Sequence, residues 1–121
     1  MWLRAVLAHA LMAVLALSAS DAGAHAFVTR TEPMSGATVA EAPALVRIWF
    51  DGPVEPVFID VRVEDGAKHR VDRGAGRLSP TDSSLVEVRL APLAPGRYRV
   101  YWSVVARDSH RRDGNFTFLL K

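Results

Sequence analysis

The chain contains no cysteine. Disulfides, the usual reinforcement of a small exported domain, are therefore excluded, and the fold must be held by packing. The same absence removes zinc–thiolate sites, iron–sulfur sites and thiol nucleophiles together. Methionine is scarce: Met1 and Met12 fall in the N-terminal apolar run, and Met34 alone follows it. No thioether cluster of the kind Cu(I) prefers can be assembled. Charge of one sign is also missing. Fifteen Lys and Arg stand against thirteen Asp and Glu, a net charge of +2. The bases are interleaved with acids, which leaves neither a nucleic-acid stripe nor a polybasic membrane block. After residue 25 no segment has a convincing 3.6-residue period, and there is no internal repeat or low-complexity stretch.

The N-terminal residues read as a secretory signal. Arg4 supplies a positive start, Ala5 to Ala19 an apolar run, and Ala22-Gly23-Ala24 the small residues that a signal peptidase needs. The run is shorter than the roughly 20 apolar residues of a membrane-spanning helix. Cleavage after Ala24 divides the chain into a signal, 1–24, and one small exported domain, 25–121. The cut removes one base, Arg4, and one acid, Asp21, so the net charge stays at +2.

In the domain the apolar residues alternate. Val46, Ile48 and Phe50 form one such run, and Val57, Ile59, Val61 and Val63 a second. Val86, Val88 and Leu90 follow, then Tyr98, Val100, Trp102 and Val104, and Phe116 and Phe118 close the chain. Alternation places every second side chain on one face of a sheet. Turn signals separate the runs at Pro33 to Gly36, Asp51-Gly52-Pro53, Asp65-Gly66, Pro92 to Gly96 and Asp113-Gly114. The pattern predicts an all-β antiparallel sandwich or small barrel of about seven strands. Gly66 to Ser84, polar and glycine-containing, reads as a long loop with a short strand near His69 to Val71. Trp49 and Phe58 fall on the polar phase of their strands, whereas Trp102 falls on the apolar phase and reads as core.

Three histidines remain after the cut: His25, His69 and His110. His69, between Lys68 and Arg70, reads as an exposed turn residue, and Glu64-Asp65 beside it as turn chemistry. His25 becomes the first residue, so its α-amine and its Nδ1 can chelate one ion. Asp108 and His110 are two apart after the strand Tyr98–Val105, and in an extended segment they point the same way. Amine, two imidazoles and a carboxylate make a tetragonal nitrogen and oxygen set, which favours Cu(II). Such ligands bind deprotonated, so affinity falls as pH drops through the reference values of imidazole and amine, about 6.5 and about 7.7–8.0. Spacing leaves open whether the fold brings His25 to the other two. A Ser/His/Asp hydrolase is disfavoured, because Asp108-Ser109-His110 are contiguous whereas triad members converge from separate segments.

The chain resembles the CopC family of periplasmic copper-binding, copper-resistance proteins. The resemblance is carried by His25-Ala26 after the signal, Pro33 and Gly36, and the strand Val46–Phe50 running into Asp51-Gly52-Pro53-Val54. It is carried further by Gly96-Arg97-Tyr98-Arg99-Val100-Tyr101-Trp102 and by Asp108-Ser109-His110 followed by Gly114 to Phe118. It implies a Greek-key, Ig-like β-sandwich that binds one Cu(II) per chain through His25, Asp108 and His110. It also implies a monomeric, non-enzymatic carrier that works with the membrane protein CopD. The family's Met-rich Cu(I) site has no counterpart here. The middle residue of the late motif is commonly Gly in the family and is Ser109 here. Some relatives carry an acid at the place of Gly52. With Lys121 the last residue, the expectation is a separate chain, not a CopC–CopD fusion. Two rival readings are a metal-free Ig-like interaction domain and a small copper monooxygenase.

Overall fold

The computed structural model describes residues 26–121; the signal segment 1–24 and His25 lie outside the described residues. Eight strands follow one another: β1 (Val28–Glu32), β2 (Thr38–Val39), β3 (Leu45–Phe50), β4 (Asp60–Glu64), β5 (Asp72–Ser79), β6 (Asp82–Leu90), β7 (Gly96–Val105) and β8 (Arg111–Leu120). They form two four-stranded sheets in the orders β1-β3-β6-β5 and β2-β8-β7-β4. All pairings are antiparallel except β2 with β8. The molecule is an all-β sandwich of eight strands where about seven are expected, and β1, β2 and β5 lie outside the alternating runs.

Alternation does what the sequence requires of it. Val46, Ile48 and Phe50 of β3, Val61 and Val63 of β4, and Val86, Val88 and Leu90 of β6 are buried. Across the layer stand Tyr98, Val100 and Val104 of β7 and Phe116, Phe118 and Leu120 of β8. Each such side chain contributes about 1.5–3 kcal/mol by leaving water, which replaces the absent disulfides. Tyr98 stacks on Phe118, with centroids 5.3 Å apart, and its hydroxyl donates to the Ala94 carbonyl. Trp102 packs edge-on against Phe50 at 5.2 Å. Its ring needs Gly114 opposite it in register, because a Cβ there would lie 2.6 Å from Trp102 Cζ2.

Two sequence expectations need correction. The Gly66–Ser84 loop is in fact β5 joined to β6 by a tight turn, with Ser79 paired to Asp82. This strand carries Arg, Gly and Ala instead of alternating apolar residues, because it lies at a sheet edge and is bulged, so periodicity could not mark it. Second, Val57 and Phe58 are not strand residues. They belong to the loop before β4, are 54% and 70% exposed, and Phe58 has φ of 61°. Trp49, on the polar phase of β3, is half-buried, and the Arg30 guanidinium lies 4.4 Å from its ring centroid. His69 is exposed as expected, and Asp65 accepts the Ala67 and His69 amides at 2.9 Å each. The His69 amide leads the contacts that hold the Asp65 carboxyl below its ordinary value, against the cost of desolvation.

The two sheets meet along the β4–β5 side. Val71 N–H donates to the Val63 carbonyl at 2.9 Å. Asp72 Oδ1 accepts the Val63 amide at 2.9 Å, and Arg70 donates to both carboxylate oxygens at 2.9 and 2.7 Å. The Asp72 side chain is only 4% exposed. Burial opposes its ionisation, but the Arg70 guanidinium and the Val63 amide outweigh burial and hold the carboxyl below its ordinary value.

Two outcomes follow from this packing. Gly114→Ala should lower stability by about 1–3 kcal/mol through overpacking against Trp102, seen as a lower Tm with a shift in tryptophan emission; an unchanged Tm would refute the close fit. A depressed carboxyl contributes stability that is complete above the unfolded pKa, near 4, and is lost as pH falls through the folded value. The advantage of the wild type over Asp72→Asn in urea unfolding should therefore shrink below about pH 4. A gap that does not change with pH would contradict the ionised clamp.

Candidate metal centre

Strands β7 and β8 are paired along their whole length, from Gly96↔Leu120 to Val105↔Arg111. The five residues Ala106–His110 turn the chain between them. Ala106 N–H donates to the His110 carbonyl and Ser109 N–H to the Ala106 carbonyl, both at 2.9 Å. Ala106, fully buried, bridges to Val54, and Glu55 N–H donates to the Val105 carbonyl at 2.8 Å. The turn is thus closed at its base and fixed from the side.

Asp108 and His110 come together inside this turn. Asp108 Oδ1 accepts the His110 amide at 2.9 Å, and Oδ2 lies 3.0 Å from His110 Nδ1. The expectation that they share a side is met, but by a carboxylate folded back onto the turn and not by an extended segment. The Asp108 side chain is 14% exposed and that of His110 63%. An ionised carboxylate only accepts, so it favours the tautomer protonated on Nδ1. The lone pair on Nε2 is then left for a metal, the usual arrangement of an imidazole ligand backed by a carboxylate. Ser109 makes the fold-back possible at φ of 70°, the left-handed region where a Cβ is strained. This is the physical reason for glycine at that place in the family motif. No serine hydroxyl among the described residues bonds to the His110 ring, so the disfavoured hydrolase geometry is not formed there.

The start of the described chain lies at the same end of the sandwich. Phe27 N–H donates to Asp51 Oδ1, and Asp51 N–H donates to the Phe27 carbonyl, both at 2.8 Å. Ala26 is 1% exposed and belongs to the core cluster that includes Val54 and Ala106. The Arg112 guanidinium, two residues beyond His110, lies 5.5 Å from the Phe27 ring centroid. The sequence gives no sign of this clamp: Asp51 sits in an Asp-Gly-Pro string that reads as a turn and nothing more. Among the described residues no three His, Asp or Glu side chains are grouped to hold a metal ion; His25, the remaining predicted ligand, is outside them.

A two-sheet β-sandwich with a carboxylate-backed imidazole on a hairpin turn, and its N-terminal strand clamped at the same end, defines a class of small β-sandwich domains. Within it, the chain belongs to the CopC family, whose CopC domain model matches residues 28–121. It is similar to Protein YobA of Escherichia coli strain K12, 31% identical over 99 residues covering 81% of this chain and 80% of that protein. It is similar to Copper resistance protein C of Xanthomonas campestris pv. juglandis, 27% identical over 124 residues, 98% of this chain and 97% of the relative. The crystal structure of CopC from Methylosinus trichosporium OB3b superposes with a TM-score of 0.74 at 26% identity, covering 80% of this chain and 94% of that one.

The strain at Ser109 is testable. Ser109→Gly should raise stability by about 1 kcal/mol, the left-handed penalty less the greater backbone entropy that glycine loses on folding. Thermal unfolding measures it, and a loss of stability would refute the strain argument.

Proposed function

We propose that the processed chain, residues 25–121, is a periplasmic Cu(II)-binding protein that carries or buffers the ion as cargo. The observation that supports this most is the Asp108–His110 pair, an exposed imidazole held through Nδ1 at the end where Phe27 is clamped to Asp51. His25 is covalently bonded to Ala26, so only a short chain separates the amine and imidazole of a first-residue His25 from that end. The donors fit Cu(II): the imidazole nitrogens of His25 and His110 and the amine nitrogen, without a thiolate, with the Asp108 carboxylate behind the His110 ring. A relative named for copper resistance that matches over nearly the whole chain supports the same cargo. The protein's own contribution is to fix the His110 ring through Asp108 and to hold the N-terminal strand through Asp51. Release of the ion then requires only protonation or competition at the exposed His110 imidazole, which suits a carrier better than a catalyst. A CopD-like membrane protein is the proposed recipient.

The test uses two proteins, one beginning at His25 and one retaining Ala24, which turns the amine into an amide. Cu(II) titration followed by calorimetry and visible absorption should show one ion per chain and much weaker binding, with a shifted band, for the extended form. Asp108→Asn should weaken binding by about 10–100-fold, the usual effect of removing a carboxylate behind a ligating histidine. Equal affinity and spectra for the His25-first and Ala24-retaining proteins would remove the amine from the ligand set. Exported protein beginning at any residue other than His25, read by mass spectrometry, would overturn the proposal.

A further inference from the structure

The outer face of the β1-β3-β6-β5 sheet holds an arrangement unrelated to the copper reading. Arg73 of β5 stands directly opposite Arg89 of β6, and Arg77 opposite Glu87. Cross-strand partners share a face, and like charges directly opposite each other are destabilising. Along β6, Glu87 and Arg89 are only about 7 Å apart, so the three guanidinium groups belong to one patch. Elsewhere on this sheet arginine is partnered: Arg30 with Glu32 and Trp49, Arg47 with Glu32 and Glu87. Arg73, Arg77 and Arg89 have no hydrogen-bond, ion-pair or ring partner among the described residues. Even Glu87, in register with Arg77, is turned to Arg47 Nε at 3.8 Å.

The backbone beside them is shaped to leave room. Between the Arg73↔Arg89 and Arg77↔Glu87 pairs, three residues of β5 (Gly74, Ala75, Gly76) face a single residue of β6, a β-bulge. Gly74 has φ of 75°, and Arg89 Nη2 lies 4.0 Å from where a Gly74 Cβ would stand. The bulge opens a cavity of about 230 Å³ bordered by Leu45, Gly74, Ala75, Arg77, Glu87 and Arg89. The fold does not need this conjunction of unpaired like charges and a local opening, and the charges oppose it.

We propose that Arg77 and Arg89, with Arg73 at the rim, bind a phosphate group carrying two negative charges. Two guanidinium forks suit a tetrahedral oxyanion, which can accept from both at once. A bound dianion would remove the repulsion that the protein leaves uncompensated. Arg89 pairs with Leu45 at the start of β3, whereas the chain start is clamped at Phe50–Asp51. Five residues of strand separate them, about 17 Å, so occupancy here leaves the Asp108–His110 end open. Phosphate free in solution and phosphate borne by a lipid headgroup present the same chemistry to the arginines.

Two arms separate those sources. Inorganic phosphate is titrated into the protein while amide NMR shifts are followed; vesicle flotation compares phosphatidylcholine with and without phosphatidic acid. Saturable shifts at Gly74, Ala75, Gly76 and Val88 support the site with free phosphate as ligand. Flotation that requires phosphatidic acid, without such shifts, supports the headgroup source. Arg77→Gln and Arg89→Gln should each weaken the interaction about tenfold, the value of one charge-assisted hydrogen bond, while keeping or raising Tm. Arg97→Gln, an exposed arginine on the other sheet, should leave it unchanged. Absence of both responses overturns the proposal, as does an equal loss in Arg97→Gln, which would mean diffuse attraction without a site.

Discussion

The closed hairpin of β7 and β8 is the constraint on which the rest of the molecule rests. Its two strands are the centre of one sheet, with β4 added to β7 and β2 to β8. Its inward side chains, Tyr98, Val100, Val104, Phe116, Phe118 and Leu120, make up a third of the buried apolar residues described. Its turn carries Asp108 and His110. Because the ladder runs unbroken to Val105↔Arg111, the turn inherits the rigidity of the sheet, and the imidazole is held by a carboxylate whose own position is set by the backbone. Strain at Ser109 persists for the same reason: residues on both sides are hydrogen-bonded and cannot relax away from it.

Packing without covalent cross-links places a second demand on the sandwich. The two sheets must be joined along an edge as well as through the core, and the Arg70–Asp72–Val63 contacts do this on the β4–β5 side. The opposite arrangement appears at the outer β5–β6 surface, where arginines lie together without internal partners. One molecule thus contains a carboxylate that the fold uses fully and guanidinium groups that it does not use at all. The first belongs to stability. The second is the kind of uncompensated charge that points outward to a ligand.

The legibility of these features follows their range along the chain. Alternation in β3, β6, β7 and β8 was readable because strand period is local, and each of those strands buries one face against the other sheet. β5 was unreadable because an edge strand with a bulge buries little, and its Gly74-Ala75-Gly76 segment looks like a loop. Asp108 and His110 were readable as a pair from their spacing, though the reason was a turn bond and not strand geometry. The Phe27–Asp51 clamp had no signal, since an aspartate before Gly-Pro looks the same whether or not it holds a distant amide.

Adjacency and period therefore fixed the two-faced strands, the all-β class, and the closeness of one carboxylate to one imidazole. These depend on neighbours within a few residues, and a chain cannot hide them. Register between β7 and β8, the end at which the first strand is tied, the left-handed turn at Ser109, and the meeting of Arg73, Arg77 and Arg89 were settled by folding. All but the Ser109 turn require segments far apart in the chain to pair at one offset and not another. That offset is chosen by the packing of both sheets together.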